Sequence, residues 1–119
     1  MEERKKKAVE AVREAVRRET EGKGENLGEA LELLWEALRL FQGVTFETAR
    51  RLEYTYAIRG NEMFVSRKGK SITRSTVDLA FQRAVELQRE RLPISGPKKL
   101  GCFGASYLYP VFLVIGVVL

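Results

Sequence analysis

The chain has 119 residues, of which 45% are apolar and 31% charged, which fits one small globular domain and excludes a largely disordered chain. It carries 21 Lys and Arg against 16 Asp and Glu, and a net charge of +5 is compatible with nucleic acid or an acidic surface as partner. The absence of His removes the commonest general base and metal ligand, and the single Cys excludes an internal disulfide. We therefore expect a cytoplasmic location, no metal and no cofactor, and the residues contain no recognisable catalytic constellation.

Residues 2–20 are predicted to form a helix, because small apolar side chains recur there at helical spacing. This apolar stripe consists of Ala8, Val9, Val12, Ala15 and Val16. The stripe is narrow, so we expect this helix to dock weakly or to lie at an edge. The charged residues 2–7 are not followed by an apolar stretch, so we expect no secretory signal.

Residues 21–25 are a linker by composition, and residues 26–41 form the strongest predicted helix. Asn26 is placed as the N-cap, with Glu29 three residues later to complete a capping box. The apolar residues of this helix are Leu27, Ala30, Leu31, Leu34, Leu38 and Phe41, with Trp35 and Ala37 beside them. Gly43 is well placed to end the helix.

Residues 44–52 are ambiguous between a short helix and an extended strand. In the helix, which we prefer, Thr45 is the cap and Phe46, Ala49 and Leu52 point inward. Residues 26–41, a turn at Gly43 and this short helix then form a helix-turn-helix.

A β-hairpin is predicted for residues 53–68, because Gly60 and Asn61 tolerate the positive φ of a two-residue turn. The turn fixes the register, in which Arg59 faces Glu62, Ile58 faces Met63, Ala57 faces Phe64, Tyr56 faces Val65 and Thr55 faces Ser66. The Ile58/Met63 and Tyr56/Val65 pairs form an apolar face. A lone hairpin is marginal in water, so this face must pack on helices.

Residues 66–75 are interpreted as a polar, basic connection to a helix over residues 76–91. Either Thr73 or Ser75 caps this helix, and Ser75 with Asp78 fits a capping box. Its apolar stripe consists of Val77, Ala80, Phe81, Ala84 and Leu87, with Val85 beside it. Pro93 follows the end of the helix.

Residues 93–104 are predicted to be a loop, which contains Cys102 close to Lys98 and Lys99. These cations could lower the pKa of the thiol, although a Cys beside Phe103 is more often a small buried residue. Residues 107–119 are almost wholly apolar but fewer than the about 20 residues that a membrane-spanning helix needs. They fit a buried helix or a buried strand, and we expect burial in the core together with a homodimer contact.

Positive charge is concentrated in residues 50–99, which carry twelve Lys and Arg against five acidic residues. Some cations lie at the hairpin tip and others at its open end, about 20 Å apart, so we expect a stripe that suits a polyanion. The predicted nucleic-acid-binding residues are Thr45, Thr48, Arg50, Arg51, Arg59, Arg67, Lys68, Lys70 and Arg74.

The predicted fold is α+β, with one domain over residues 1–119 divided into an N-terminal helix (1–20), a helix–hairpin–helix core (26–92) and a loop with an apolar C-terminal segment (93–119). The order of helix, helix, short helix and hairpin resembles a winged-helix DNA-binding domain, in which Thr45, Thr48 and Arg51 face the major groove. The leading hypothesis is a small basic nucleic-acid-binding or regulatory module that contacts the phosphate backbone of DNA or RNA through this stripe. The alternative is a homodimeric assembly module that uses the C-terminal segment, and an enzyme based on Cys102 comes third.

Overall fold

The computed structural model describes residues 1–22, 26–67, 69 and 71–119, and within these ranges helices surround two small antiparallel sheets. The elements are α1 (Glu3–Glu21), α2 (Leu27–Leu40), β1 (Phe46–Glu47), β2 (Glu53–Tyr54), β3 (Tyr56–Arg59), β4 (Glu62–Val65), β5 (Ile72–Thr73), α3 (Arg74–Arg89), a 3₁₀ turn (Pro97–Leu100) and α4 (Ala105–Ile115). This mixture of helices and antiparallel strands confirms the α+β class. Most of the predicted linker lies outside the described residues.

Helix α1 packs against α2, α3 and α4, so the prediction that it would dock weakly or lie at an edge is wrong. Val12 and Val16 on its apolar stripe are almost completely shielded from solvent. Their small side chains let the neighbouring helices approach closely, which compensates for the narrowness of the stripe.

The caps of α2 and α3 differ partly from expectation. The side chain of Asn26 makes no capping hydrogen bond, so the predicted capping box is not formed. Thr73 caps α3, because its Oγ1 accepts the backbone N–H of Thr76 at 3.3 Å. Asp78 instead accepts the indole Nε1–H of buried Trp35 at 2.7 Å, which joins α2 to α3.

The hairpin β3–β4 has the predicted register from Tyr56↔Val65 to Arg59↔Glu62. A third strand, β5, pairs with β4 and brings Ile72 opposite Met63. The interpretation of residues 66–75 as connection alone was therefore incomplete. One apolar residue in a polar stretch produces no alternating pattern, so β5 could not be recognised from periodicity.

Residues 44–52 do not form the preferred short helix; they form β1 and a turn that leads into β2. The turn closes when the N–H of Arg51 donates to the carbonyl of Thr48 at 2.9 Å and the N–H of Thr48 donates to the carbonyl of Leu52 at 3.0 Å. Phe46 lies opposite Tyr54, with ring centroids 5.9 Å apart. Aromatic cross-strand packing favours strands here, and the winged-helix order is not confirmed.

The C-terminal segment is a helix, α4, whose inner face carries the fully buried residues Val111, Phe112 and Ile115. Gln88 of α3 fixes the chain beyond it: its side-chain amide donates to the carbonyl of Val117 at 3.0 Å and accepts the N–H of Leu119 at 2.7 Å. Burial of this segment in the core is thus confirmed. In the described parts of the chain, every helix is too short or too polar to span a bilayer.

The start of α4 approaches β5 so closely that a side chain at Gly104 would overlap Ile72. Gly104 and Gly101 both have positive φ, 77° and 60°, but a Cβ at Gly101 meets open space. Gly104→Ala is expected to lower the free energy of unfolding by about 2–4 kcal/mol, and Gly101→Ala by only about 1 kcal/mol. Urea denaturation followed by the fluorescence of Trp35 measures both, and equal losses would contradict the close contact.

Candidate functional site

The outer face of the β3–β4 hairpin combines an exposed aromatic ring with a cation. Strand alternation turns Tyr56, Met63 and Val65 into the core and leaves Arg59 and Phe64 on the opposite face. Phe64 is 37% exposed, and the guanidinium carbon of Arg59 lies 5.4 Å from its ring centroid. This distance is that of a cation–π contact, so the two side chains form one amphipathic surface.

The hairpin is held in place by the C-terminal end of α2. The Tyr56 phenol donates to the carbonyl of Leu38 at 2.6 Å, and Gly43 N–H donates to the carbonyl of Tyr56 at 3.1 Å. The side chain of Gln42 accepts the N–H of Ile58 at 2.7 Å. Burial raises the pKa of Tyr56, so the phenol stays a neutral donor. These bonds cover the free edge of β3 and make the hairpin a fixed support.

The open end of the hairpin adjoins the turn between β1 and β2. Arg67 donates from Nε to the carbonyl of Glu53 at 2.7 Å, which places it beside the first residue of β2. Arg50 and Arg51 are exposed in the turn just before that strand. We call Arg59, Arg67, Arg51 and Arg50 the basic path. None of the four forms an ion pair with another residue of the described ranges.

Two other predicted binding residues, Thr45 and Thr48, do not join this path. Thr48 is buried and its Oγ1 accepts the N–H of Leu52 at 3.2 Å, while Thr45 is exposed ahead of β1; neither lies on a recognition helix. Lys68 and Lys70 lie outside the described residues.

Arg74 belongs to a separate cluster on α2 and α3. Its guanidinium carbon lies 4.8 Å from the centroid of the Trp35 ring, and its nitrogens lie 3.2 Å from Glu32 and 3.8 Å from Asp78. Because two carboxylates and an aromatic face already surround this cation, its positive charge adds little to the basic path.

A separate, concave surface adjoins the β1–β2 turn. A cavity of about 910 Å³ is bounded by that turn, the 3₁₀ turn and the start of α4, and Arg50, Leu52, Lys98, Cys102 and Phe103 are among its lining residues. Burial raises the pKa of the Cys102 thiol, which is the opposite of the alternative in which Lys98 and Lys99 lower it. Cys102 therefore lacks the stabilised thiolate of a reactive cysteine.

Two residues that shape these surfaces were not predicted as site residues. Phe64 was placed opposite Ala57 by the correct register, so its outward direction could have been read from strand alternation. Lys98 shares a cavity with Arg50 only because the chain folds back over 48 positions, and no local pattern signals such an approach.

Comparisons of this chain with protein-family models, with curated proteins and with solved structures find no match. The case for a function therefore rests on the two surfaces described above.

Arg51 and Arg91 are non-glycine residues with positive φ, 63° and 60°, which is strained for a side chain with a Cβ. Arg51 lies in the basic path, whereas Arg91 follows α3. Replacing either with Gly relieves the strain, and we expect Arg51→Gly and Arg91→Gly each to raise the free energy of unfolding by about 0.5–1 kcal/mol. Urea denaturation tests this, and destabilisation by Arg51→Gly would show that its side chain supports the fold.

Proposed function

We propose that this chain binds single-stranded nucleic acid along the basic path, with phosphates on the arginines and a base on Phe64. The observation that supports this most is the Arg59–Phe64 pair on the outer face of a fixed hairpin. Proteins that bind single strands combine a positive track for the backbone with aromatic rings on which bases stack. The basic path supplies the first feature, and the exposed ring supplies the second.

The geometry favours a single strand over the major groove of a duplex. Readout in the major groove requires a helix or a two-stranded ribbon that presents several side chains to base edges. The segment expected to be a recognition helix, residues 44–52, forms β1 and a turn in which Thr48 is buried, and the strands of the β3–β4 ribbon carry one cation, Arg59. Arginines without carboxylate partners contact phosphates whatever the sequence, so we expect binding that depends strongly on salt and weakly on sequence.

The arrangement also predicts a division of labour within the site. Arg59 and Arg67 lie at opposite ends of the hairpin, so successive phosphates of an extended strand can reach both. Phe64 lies between them in β4, where a base between those phosphates can stack. Loss of an arginine should weaken binding and reduce its dependence on salt. Loss of the ring should weaken binding but leave its dependence on salt unchanged.

Charge reversal at Arg59 or Arg67 is the direct test. Each of Arg59→Glu and Arg67→Glu is expected to weaken binding of fluorescein-labelled oligo(dT) or oligo(U) roughly tenfold and to lower the salt slope by about 0.7. Arg91→Glu, which changes an exposed arginine beyond α3, is the matched control and should bind normally. Fluorescence anisotropy at low and at physiological salt provides the measurement. Unchanged binding by both path variants would remove the proposal.

The ring is tested separately with Phe64→Leu and Phe64→Tyr. Leu preserves the apolar surface but cannot stack, so binding should weaken by about 1 kcal/mol or more with an unchanged salt slope. Tyr preserves the ring and should bind like the wild type. The same anisotropy titrations decide this, and tighter binding to a duplex than to either single strand would contradict the proposed mode.

A second candidate function is homodimeric assembly through α4. Its inner face is core, but the adjacent Leu113 and Val114 are 45% and 40% exposed on its outer face. If this face joins two copies, Leu113→Glu should convert a dimer into a monomer without loss of stability, because the side chain is already half in solvent. Light scattering of both proteins tests this, and a monomeric wild type would eliminate the candidate.

A further inference from the structure

Two depressions meet at the loop that precedes α4. The first is the 910 Å³ cavity between the β1–β2 turn and α4, and the second, of about 420 Å³, lies between this loop and α3. Both are lined by Gly101, Cys102 and Phe103, so they adjoin each other at this loop, and the two together are treated as one groove. We call it the Phe103 groove.

The floor and the walls of the Phe103 groove expose large apolar side chains. Leu79 on α3 is 62% exposed, Phe103 is 49% exposed and Leu52 at the opposite end is 41% exposed. Leu79 points away from the buried stripe of α3, so its apolar surface does not contribute to the core. Exposed apolar side chains that converge on a groove are typical of a binding surface, whereas scattered ones need no explanation.

The charged side chains that line the Phe103 groove are all positive. Arg50 and Lys98 line the first depression and Arg83 lines the second, and of the described residues that line either one none is acidic. Arg83 lies 3.4 Å from Glu86, but both side chains of this pair are about half exposed, and such a pair is weak. The groove therefore complements a ligand that is both apolar and negatively charged.

We propose that the Phe103 groove docks an acidic, apolar segment of a partner protein, with apolar side chains in the two depressions and carboxylates on Arg50, Lys98 and Arg83. A compact small molecule would fill one depression, but an extended segment can fill both, because its side chains are spaced along the chain. The charged side chains that line both depressions are all positive, which opposes the approach of the same surface of a second copy. This inference does not depend on nucleic-acid binding, since Leu79, Arg83 and Lys98 are not in the basic path.

The test begins with selection of random peptides on the immobilised full chain. Enriched peptides should carry a net negative charge and at least two large apolar residues, and the best one is then labelled for anisotropy. Leu79→Glu should weaken its binding by at least about tenfold, because a buried apolar contact becomes a repulsive carboxylate. Arg83→Glu should weaken it roughly fivefold and reduce its sensitivity to salt.

The matched control is Leu92→Glu, because Leu92 is 49% exposed but lies in a separate depression beyond the end of α3. This variant should bind the peptide like the wild type. Alkylation of Cys102, the only cysteine of the chain, shows whether the peptide binds in the Phe103 groove. Bound peptide should slow its alkylation by iodoacetamide at least about fivefold, and mildly alkaline conditions are needed because the thiolate is the reacting form.

Several results would overturn the proposal. The selection could enrich no peptide, or it could enrich neutral or basic peptides. A selected peptide could also bind equally well to the Leu79→Glu variant. A wild-type dimer that Leu79→Glu dissociates would assign the groove to a second copy. Protection of Cys102 by oligo(dT) but not by peptide would assign it to nucleic acid. Arg59→Glu separates the two proposals, because it should impair oligonucleotide binding and leave peptide binding intact.

Discussion

The hydrogen bond from the buried Tyr56 phenol to the carbonyl of Leu38 is the contact on which the arrangement of this protein depends. It satisfies one of the last carbonyls of α2, which has no partner within its own helix, and it anchors the first strand of the hairpin in the core. Gly43 and Gln42 extend the same attachment along the edge of β3. With this edge covered, the opposite face of the hairpin is free to carry Arg59 and Phe64 as a preorganised pair.

The net charge of the chain overstates the charge available for binding. Arg74 is surrounded by Trp35 and two carboxylates, and the guanidinium of Arg89 donates two hydrogen bonds to the carbonyl of Glu19 at the end of α1. Such cations stabilise the fold, because they neutralise carboxylates or the negative end of a helix. The arginines of the basic path have no carboxylate partner among the described residues, and this distinction defines the proposed surface better than the total charge.

The basic path and the Phe103 groove meet at the β1–β2 turn, where Arg50 borders both. Thr48 fixes this turn with its buried hydroxyl group, and Arg51 takes a backbone conformation that glycine would adopt more easily. The two surfaces use different anchors, Phe64 and Leu79, but they share Arg50, so a nucleic acid and an acidic partner would compete for that cation.

Local patterns in the sequence were sufficient for the elements whose signal is repeated. Helical spacing predicted α1, α2 and α3 to within a few residues, and the Gly60–Asn61 turn fixed the register of the hairpin. The outward direction of both Arg59 and Phe64 follows from that register, so this part of the candidate site could be predicted.

Tertiary contacts decided what these repeated patterns could not. Strands β1 and β2 are too short for an alternating pattern, and Ile72 joins the sheet only because Met63 lies opposite. The apolar C-terminal segment suited helix and strand equally, and in the folded chain it is a helix that packs against α1, β1 and the 3₁₀ turn. Likewise, no spacing in the sequence predicts that Arg74 pairs with Glu32 of α2 or that Lys98 lines the same cavity as Arg50. These outcomes depend on contacts between residues that are distant in sequence, and such contacts form only when the whole chain is folded.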